Sequence, residues 1–381
     1  MTLSANWGYP TPIRFGAGRI KEIGEACEAA GMKKPLLVTD KGLANLPITL
    51  STLDLMEEAG LGRGLFGDVD PNPTEKNLEA GVKVFRDGNH DGVIAFGGGS
   101  GLDLAKLIAF QADQTRPIWD FEDIGDWWTR ADADAIYPNI AIPTTAGTGS
   151  EVGRAGVLTN SESHVKKIIF HPKMLPSVVI CDPELTVGMP QMITVGTGMD
   201  AFIHSLEAYS SPHYHPMSQG IALEGMRLAW ENLPKVAKDP NDIEARGHMM
   251  ASAAMGATAF QKGLGAMHAL SHPIGAVFNT HHGMTNAIVM PAVLNYNRPA
   301  IEERIEALAR YLNIEGGFDG FFAALMKLSE ELGVPKKLSE LGVTADRIPD
   351  LAAMAIEDPS CGGNPLPVTL EVATKLLEES V

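Results

Sequence analysis

The first half of the chain alternates short apolar runs with stretches of helical periodicity. PIRFG (12–16), PLLVTD (35–40), GRGLFGDV (62–69), DGVIAFGGGS (91–100), PNIAIPTTAGTGSE (138–151) and SVVICDPEL (177–185) each carry a strand. Helices are expected over 18–30, 49–59, 74–88 and 102–111, the third with Thr74 as N-cap and Glu75 in its first turn. Alternation of this kind predicts a parallel sheet covered on both faces by helices. After about Thr186 the strand signal fades. Helical periodicity runs through 188–210, 215–232, 240–261, 265–277, 284–294, 299–312, 317–332 and 366–379, with loops such as SSPHYHP (210–216) between. The pattern predicts an α/β domain over residues 1–186 and an all-α domain over residues 187–381.

Two helical stretches carry paired polar residues in apolar surroundings. Asp200 and His204 are four apart in GMDAFIHSLEAY, and His268 and His272 are four apart in GAMHALSHPIG. Residues i and i+4 share one helix face, so each pair aims at one point. His282 follows just before Gly283, where a turn is expected. One carboxylate and several imidazoles make a nitrogen-rich set suited to Fe(II) or Zn(II) and not to Mg(II) or Ca(II). Spacing alone leaves open a core or capping role for each histidine.

The strand VIAF runs into Gly97, Gly98, Gly99 and Ser100, and a helix follows. Glycines let backbone N–H groups approach an anion, and a helix N-terminus favours phosphate. The run is neither GxGxxG nor a Walker A loop, and a tight strand–helix turn is the alternative. Thr144, Thr145, Gly147, Thr148, Gly149 and Ser150 form a second loop at a strand end, able to line the same crevice or simply to turn the chain. Asp40 ends an early strand. An acid there accepts from a ribose diol and repels a 2′-phosphate, favouring NAD over NADP, unless it serves as a helix N-cap. Asn72, in DPNPT, is either a cofactor contact or an Asx-turn residue.

Composition narrows the classes. A net charge of −17 argues against nucleic acid or an anionic membrane as partner. Three scattered cysteines, Cys27, Cys181 and Cys361, fit reduced thiols in a cytoplasmic protein. The N-terminal MTLSANWGYP shows no signal pattern, and no apolar run reaches the length of a membrane span.

GGGSGLDLAK (97–106), PTTAGTGSE (143–151), DPEL (182–185), GMDAFIHSLEAY (198–209), HALSHPIG (268–275) and HHGMTNAIVMP (281–291) resemble, in order and spacing, the iron-containing (group III) alcohol dehydrogenase family. The resemblance spans nearly the whole chain. It implies a dehydroquinate synthase-like fold, with an NAD-binding α/β domain followed by a helical metal and substrate domain. It implies metal ligation by Asp200, His204, His268 and His282, with His272 a non-ligand histidine near metal and nicotinamide. Gly98, Gly99 and Ser100 match the pyrophosphate loop, and Asp40, Asn72, Asp103, Thr144, Thr145 and Lys167 match further cofactor positions. The implied reaction is NAD(H)-linked interconversion of a small primary alcohol and its aldehyde, with Fe(II), or alternatively Zn(II), as metal. His272 is the candidate for relaying the hydroxyl proton. The family also suggests a homodimer or higher homo-oligomer. Departures include His281 before His282, Gln261 and Lys262 in AFQKGLG, and Leu366 after Asn364 and Pro365. AFQKGLG resembles a branch that includes 4-hydroxybutyrate dehydrogenases. Lys262 is therefore a candidate partner for the carboxylate of a short ω-hydroxy acid, and His281 a candidate substrate neighbour. A dehydroquinate-synthase-like lyase, another metal-dependent lyase or hydrolase, and an inactive scaffold stand as the alternatives.

Overall fold

The computed structural model describes residues 11–162 and 165–381; the N-terminal MTLSANWGYP lies outside them. Two compact units cluster. One comprises residues 11–145 and 149–188, the other residues 146–148 and 189–381.

The first unit contains β1 (Ile13–Phe15), α1 (Ile23–Ala29), β2 (Leu36–Asp40), α2 (Pro47–Glu58), β3 (Leu65–Val69), α3 (Glu75–Asp87), β4 (Val93–Gly97), α4 (Gly99–Gln111), β5 (Asn139–Pro143), β6 (Ala155–Thr159), β7 (Lys166–Phe170) and β8 (Val178–Cys181). Six strands form one sheet in the order β1-β8-β5-β4-β2-β3, parallel at every pairing. Every residue of β4, β5 and β8 is buried. Their continuous apolar runs therefore have the pattern of strands covered on both faces, not the alternation of half-exposed ones. Ile23, Cys27, Leu53 and Met56 from α1 and α2 share a core with Leu37, Ile94, Ile140 and Ile180 from the sheet. Thr74 is the N-cap of α3, its N–H donating to Asn77 Oδ1 at 3.0 Å. Two features differ from expectation. Helix α4 starts at Gly99, inside the glycine run. β6 and β7 form a separate antiparallel pair. Lys166 and Lys167 and half-buried faces hide this hairpin from an apolar-run search.

The second unit contains α5 (Gln191–Ser210), α6 (Pro216–Lys238), α7 (Ile243–Ala259), α8 (Ala266–Phe278), α9 (His282–Tyr311), α10 (Gly317–Glu331), α11 (Ile348–Ile356) and α12 (Leu370–Ser380). The expected helices 284–294 and 299–312 are one helix, α9, with Pro291 and Pro299 inside it. An internal proline costs about 3 kcal/mol. Burial of Val289, Val293, Ile301 and Ile305 on the same helix contributes roughly 1.5–3 kcal/mol each, which outweighs it. α11 was not expected. No helix among the described residues is long and apolar enough to cross a membrane.

α5 is central: every residue from Gly198 to Ser210 is buried, as a helix enclosed on all sides requires. It packs against α6, α7 and α9. Its approach to the start of α9 depends on two glycines. A Cβ on Gly283 would lie 1.9 Å from Gly196 O, and one on Gly196 would lie 2.4 Å from the His281 ring. Gly283→Ala must push α9 away from α5 and should cost about 1–3 kcal/mol. Urea unfolding checks this, and an unchanged midpoint would contradict the close approach.

Candidate metal centre and nucleotide site

Helix α5 places Asp200, His204 and Glu207 on one face, one turn apart. Helix α8 contributes His268 and His272, and α9 begins at His282. One ligand atom each from Asp200, His204 and His268 lies within 4.8 Å of the others, and all three residues are buried. Asp200 Oδ1 is 3.7 Å from His268 Nε2 and 3.6 Å from His282 Nε2. These distances are too long for hydrogen bonds. Two ligands ~2.1 Å from one ion at a tetrahedral angle stand about 3.4 Å apart, so the spacing fits a shared cation. His282 lies at the edge of the group and is half-buried.

The donor count supports the same fit. Asn286, one turn beyond His282 on α9, places Nδ2 2.9 Å from Asp200 Oδ1, 3.3 Å from His268 Nε2 and 3.2 Å from His282 Nε2. One NH2 group has two protons for these three acceptors. The buried His204 Nδ1 has no hydrogen-bond partner among the described residues. Burial, with the nearby His204, pushes the His268 pKa well below its ordinary value, so its ring is neutral. A buried centre with more acceptors than protons suits a divalent metal, and an Fe(II) or Zn(II) ion fits these residues.

Three acidic or amide residues around the centre were not read from the sequence. Glu207 Oε2 is 2.6 Å from His268 Nδ1, and its Oε1 accepts from Met267 N at 2.7 Å. Burial raises the Glu207 carboxyl to about 7 against the backbone N–H groups that lower it. Asp358, in the turn after α11, is 2.7 Å from His272 Nδ1. Burial alone would raise the Asp358 pKa, but the His272 bond and charge bring it below the ordinary value. Glu207 and Asn286 had a signal, their i+3 and i+4 spacing from His204 and His282. Asp358 had none, being 86 residues from its partner.

In the α/β unit Asp40, Gly98, Gly99, Ser100, Thr144 and Thr145 lie at the C-terminal ends of the parallel strands β2, β4 and β5, whereas Asp103 is within α4 and Lys167 within the antiparallel hairpin. Helix α4 begins behind Gly98 with no side-chain cap, so its first N–H groups face outward unpaired by side chains. A Cβ on Gly98 would lie 3.3 Å from Thr145 Cγ2, and one on Gly97 3.5 Å from Asp40 Oδ2. Thr144 N donates to Gly97 O at 2.9 Å. The two loops and Asp40 are thus adjacent. Asp40 Oδ1 caps the turn that follows, accepting from Gly42 N and Leu43 N at 2.9 and 3.1 Å. Asn72 lies in the turn before α3, where Ser100 Oγ donates to Pro71 O. Asp103 accepts from Ser150 Oγ and Val157 N, so it fastens the second loop to α4. Lys167 on β7 pairs with Glu122 at 2.6 Å.

A family model described as "Iron-containing alcohol dehydrogenase" matches residues 10–183, and its C-terminal counterpart matches residues 194–381. The chain belongs to the iron-containing alcohol dehydrogenase family. It is 37% identical to 4-hydroxybutyrate dehydrogenase of Cupriavidus necator over 98% of this chain and 99% of that one. It is 36% identical to 1,3-propanediol dehydrogenase of Klebsiella pneumoniae over 92% of each. Its fold matches the crystal structure of a 1,3-propanediol oxidoreductase with a TM-score of 0.93, at 34% identity, over 99% of this chain and 100% of that one. It matches sulfoacetaldehyde reductase of Bifidobacterium kashiwanohense in complex with NAD+ with a TM-score of 0.89, at 30% identity, over 99% of both. This iron-containing alcohol dehydrogenase is an oxidoreductase with the dehydroquinate synthase-like fold.

Two departures from the family pattern have defined surroundings in this dehydrogenase. His281 is the N-cap of α9, its Nδ1 accepting from Met284 N at 3.4 Å, with the ring over Gly196. Lys262 is buried, 2% exposed, and Nζ donates to Tyr209 O at 3.0 Å. Arg304 donates to the carbonyls of Tyr209, Ser210 and Ser211. Both side chains thus sit at the C-terminus of α5, where their N–H groups meet otherwise unpaired carbonyls. Burial, with Arg304 close by, lowers the Lys262 pKa from 10.5 to about 7. The unfolded chain therefore binds more protons at this site between those values, and stability rises with pH through that window. Lys262→Met should remove this contribution. Urea midpoints at neutral and alkaline pH should rise more in the unsubstituted chain than in the variant; equal changes would contradict the burial argument.

Proposed function

We propose that Asp200, His204, His268 and His282 hold an Fe(II) ion, with Zn(II) the alternative, and that the chain uses NAD(H) to interconvert a short primary alcohol and its aldehyde. The observation that carries this reading is the buried group of Asp200, His204 and His268, with ligand atoms within 4.8 Å of one another. When bound, the metal supplies Lewis acidity that acidifies a hydroxyl, and the nicotinamide accepts or returns the hydride. The chain's own task is orientation and proton handling. His272 keeps Nδ1 on Asp358, which leaves Nε2 to take or return the hydroxyl proton. The N-terminus of α4, with Gly98, Gly99 and Ser100, receives the pyrophosphate. Asp40 accepts from the ribose diol, while Asn72, Thr144, Thr145 and Lys167 line the nucleotide. Asp103 contributes by holding the second loop.

The free thiols Cys27, Cys181 and Cys361 support a reducing, cytoplasmic setting. The exposed Ile13 and Phe15 on the edge strand β1 support a homodimer or higher homo-oligomer. Asp200→Ala and His268→Ala should each lose metal, by elemental analysis, together with NADH-linked aldehyde reduction. Full metal occupancy in either variant would contradict the ligand assignment.

A second observation bears on the substrate. Lys262 is a buried amine whose protonated form a substrate carboxylate would stabilise, and among the described residues no carboxylate is within ion-pair distance of it. Relatives named for 4-hydroxybutyrate and sulfoacetaldehyde handle substrates with an anionic end. We infer that a short ω-carboxylated aldehyde pairs with Lys262. Loss of a charged hydrogen bond corresponds to roughly 10–100-fold. Lys262→Met should lower kcat/KM for succinic semialdehyde relative to butanal by about that factor. An unchanged ratio would restrict Lys262 to capping α5.

A further inference from the structure

We propose that Glu207 is a positioning residue of the metal centre, holding His268 in the Nδ1–H tautomer and tying the α5 ligand pair to the first turn of α8. This rests on the metal reading above and adds a residue to it. Glu207 is 5% exposed and follows His204 by three residues, so Asp200, His204 and Glu207 share one face of α5. Its two oxygens do different work. Oε1 accepts from Met267 N at 2.7 Å, and Oε2 meets His268 Nδ1 at 2.6 Å.

The carboxylate decides the tautomer. A lone pair on Nδ1 facing Oε2 would be repelled, so Nδ1 carries the proton and Nε2 presents its lone pair. Nε2 is the atom 3.7 Å from Asp200 Oδ1. A carboxylate–histidine pair of this kind orients a metal-binding ring and raises its basicity.

The backbone around Glu207 is shaped to it. A Cβ on Gly265 would lie 3.0 Å from Glu207 Oε1 and 2.9 Å from Asn364 Oδ1. Asn364 Oδ1 in turn accepts from Ala266 N at 3.1 Å. The first N–H groups of α8 are therefore met by two side chains, one from α5 and one from the C-terminal segment. Capping alone does not require a charge, because a glutamine oxygen accepts from Met267 N equally well. At the imidazole Glu and Gln differ in kind, because an amide NH2 there donates where a carboxylate oxygen accepts. In Glu207→Gln the amide oxygen keeps Met267 N and the NH2 turns to His268. That forces Nδ1 to accept and places the ring proton on Nε2, where the metal binds.

The experiment is a Co(II) titration of the metal-stripped chain and of Glu207→Gln, followed by the visible Co(II) absorption, with thermal melting of both metal-free proteins. The expected result is equal melting without metal, Co(II) binding weakened about 10–100-fold in the variant, and partial recovery in Glu207→Asp. Equal Co(II) affinity and spectrum in Glu207→Gln would overturn the proposal and leave the metal reading intact. Failure of the unsubstituted chain to bind Co(II) would overturn both. A measurement without substitution covers the case in which Glu207→Gln does not fold. In the Co(II)-loaded unsubstituted chain, selectively labelled histidine should show a paramagnetically shifted His268 Nδ1–H that persists in D2O. Rapid loss of that resonance would overturn the proposal.

Discussion

The helical unit is built around a buried excess of hydrogen-bond acceptors. Asp200, His204 and His268 are buried together, and the half-buried His282 faces the same oxygen of Asp200. Desolvating a carboxylate is costly unless positive charge or donors replace water. The Asn286 amide faces Asp200 Oδ1 and the two Nε2 atoms at 2.9–3.3 Å. Such a centre suits a cation. Most other features of the unit can be read as means of holding these groups in place.

Those means are backbone contacts and helix ends. Gly196 and Gly283 let α5 and the start of α9 touch, which brings His282 beside Asp200. Glu207 and Asn364 meet the first N–H groups of α8, which sets His268. Lys262 and Arg304 meet the last carbonyls of α5. The last two satisfy backbone groups that a helix end leaves unpaired, and all three fix a helix that carries a residue of the centre. In the α/β unit the logic is reversed at one point. The start of α4 has no side-chain cap, and an uncapped helix start beside glycines is the place where an anion can bind.

The architecture was legible in the sequence because its central strands are continuous buried runs and its helices keep their period. The paired spacings of Asp200 with His204 and of His268 with His272 were legible for the same reason, since i and i+4 coincide in space. The hairpin of β6 and β7 was not, because its strands are half-exposed and identified by each other. The unbroken α9 was not, because proline is a local signal and the burial that overrides it is tertiary. Asp358 could not be read, since only the folded chain brings it to His272. Glu207 and Asn286 carry a signal in the sequence, as one-turn neighbours of His204 and His282 on the same helix faces. Lys262 shows the limit of residue type as a signal. A lysine near a site suggests a substrate charge, and in the folded chain its ammonium also terminates α5.

The most direct test of the central claim is an anomalous difference map from crystals of the Fe(II)-loaded chain, collected at the iron edge. The account predicts one strong peak at bonding distance, about 2.0–2.2 Å, from Asp200, His204, His268 and His282. A peak elsewhere, or none in protein that reduces aldehydes with NADH, would contradict it.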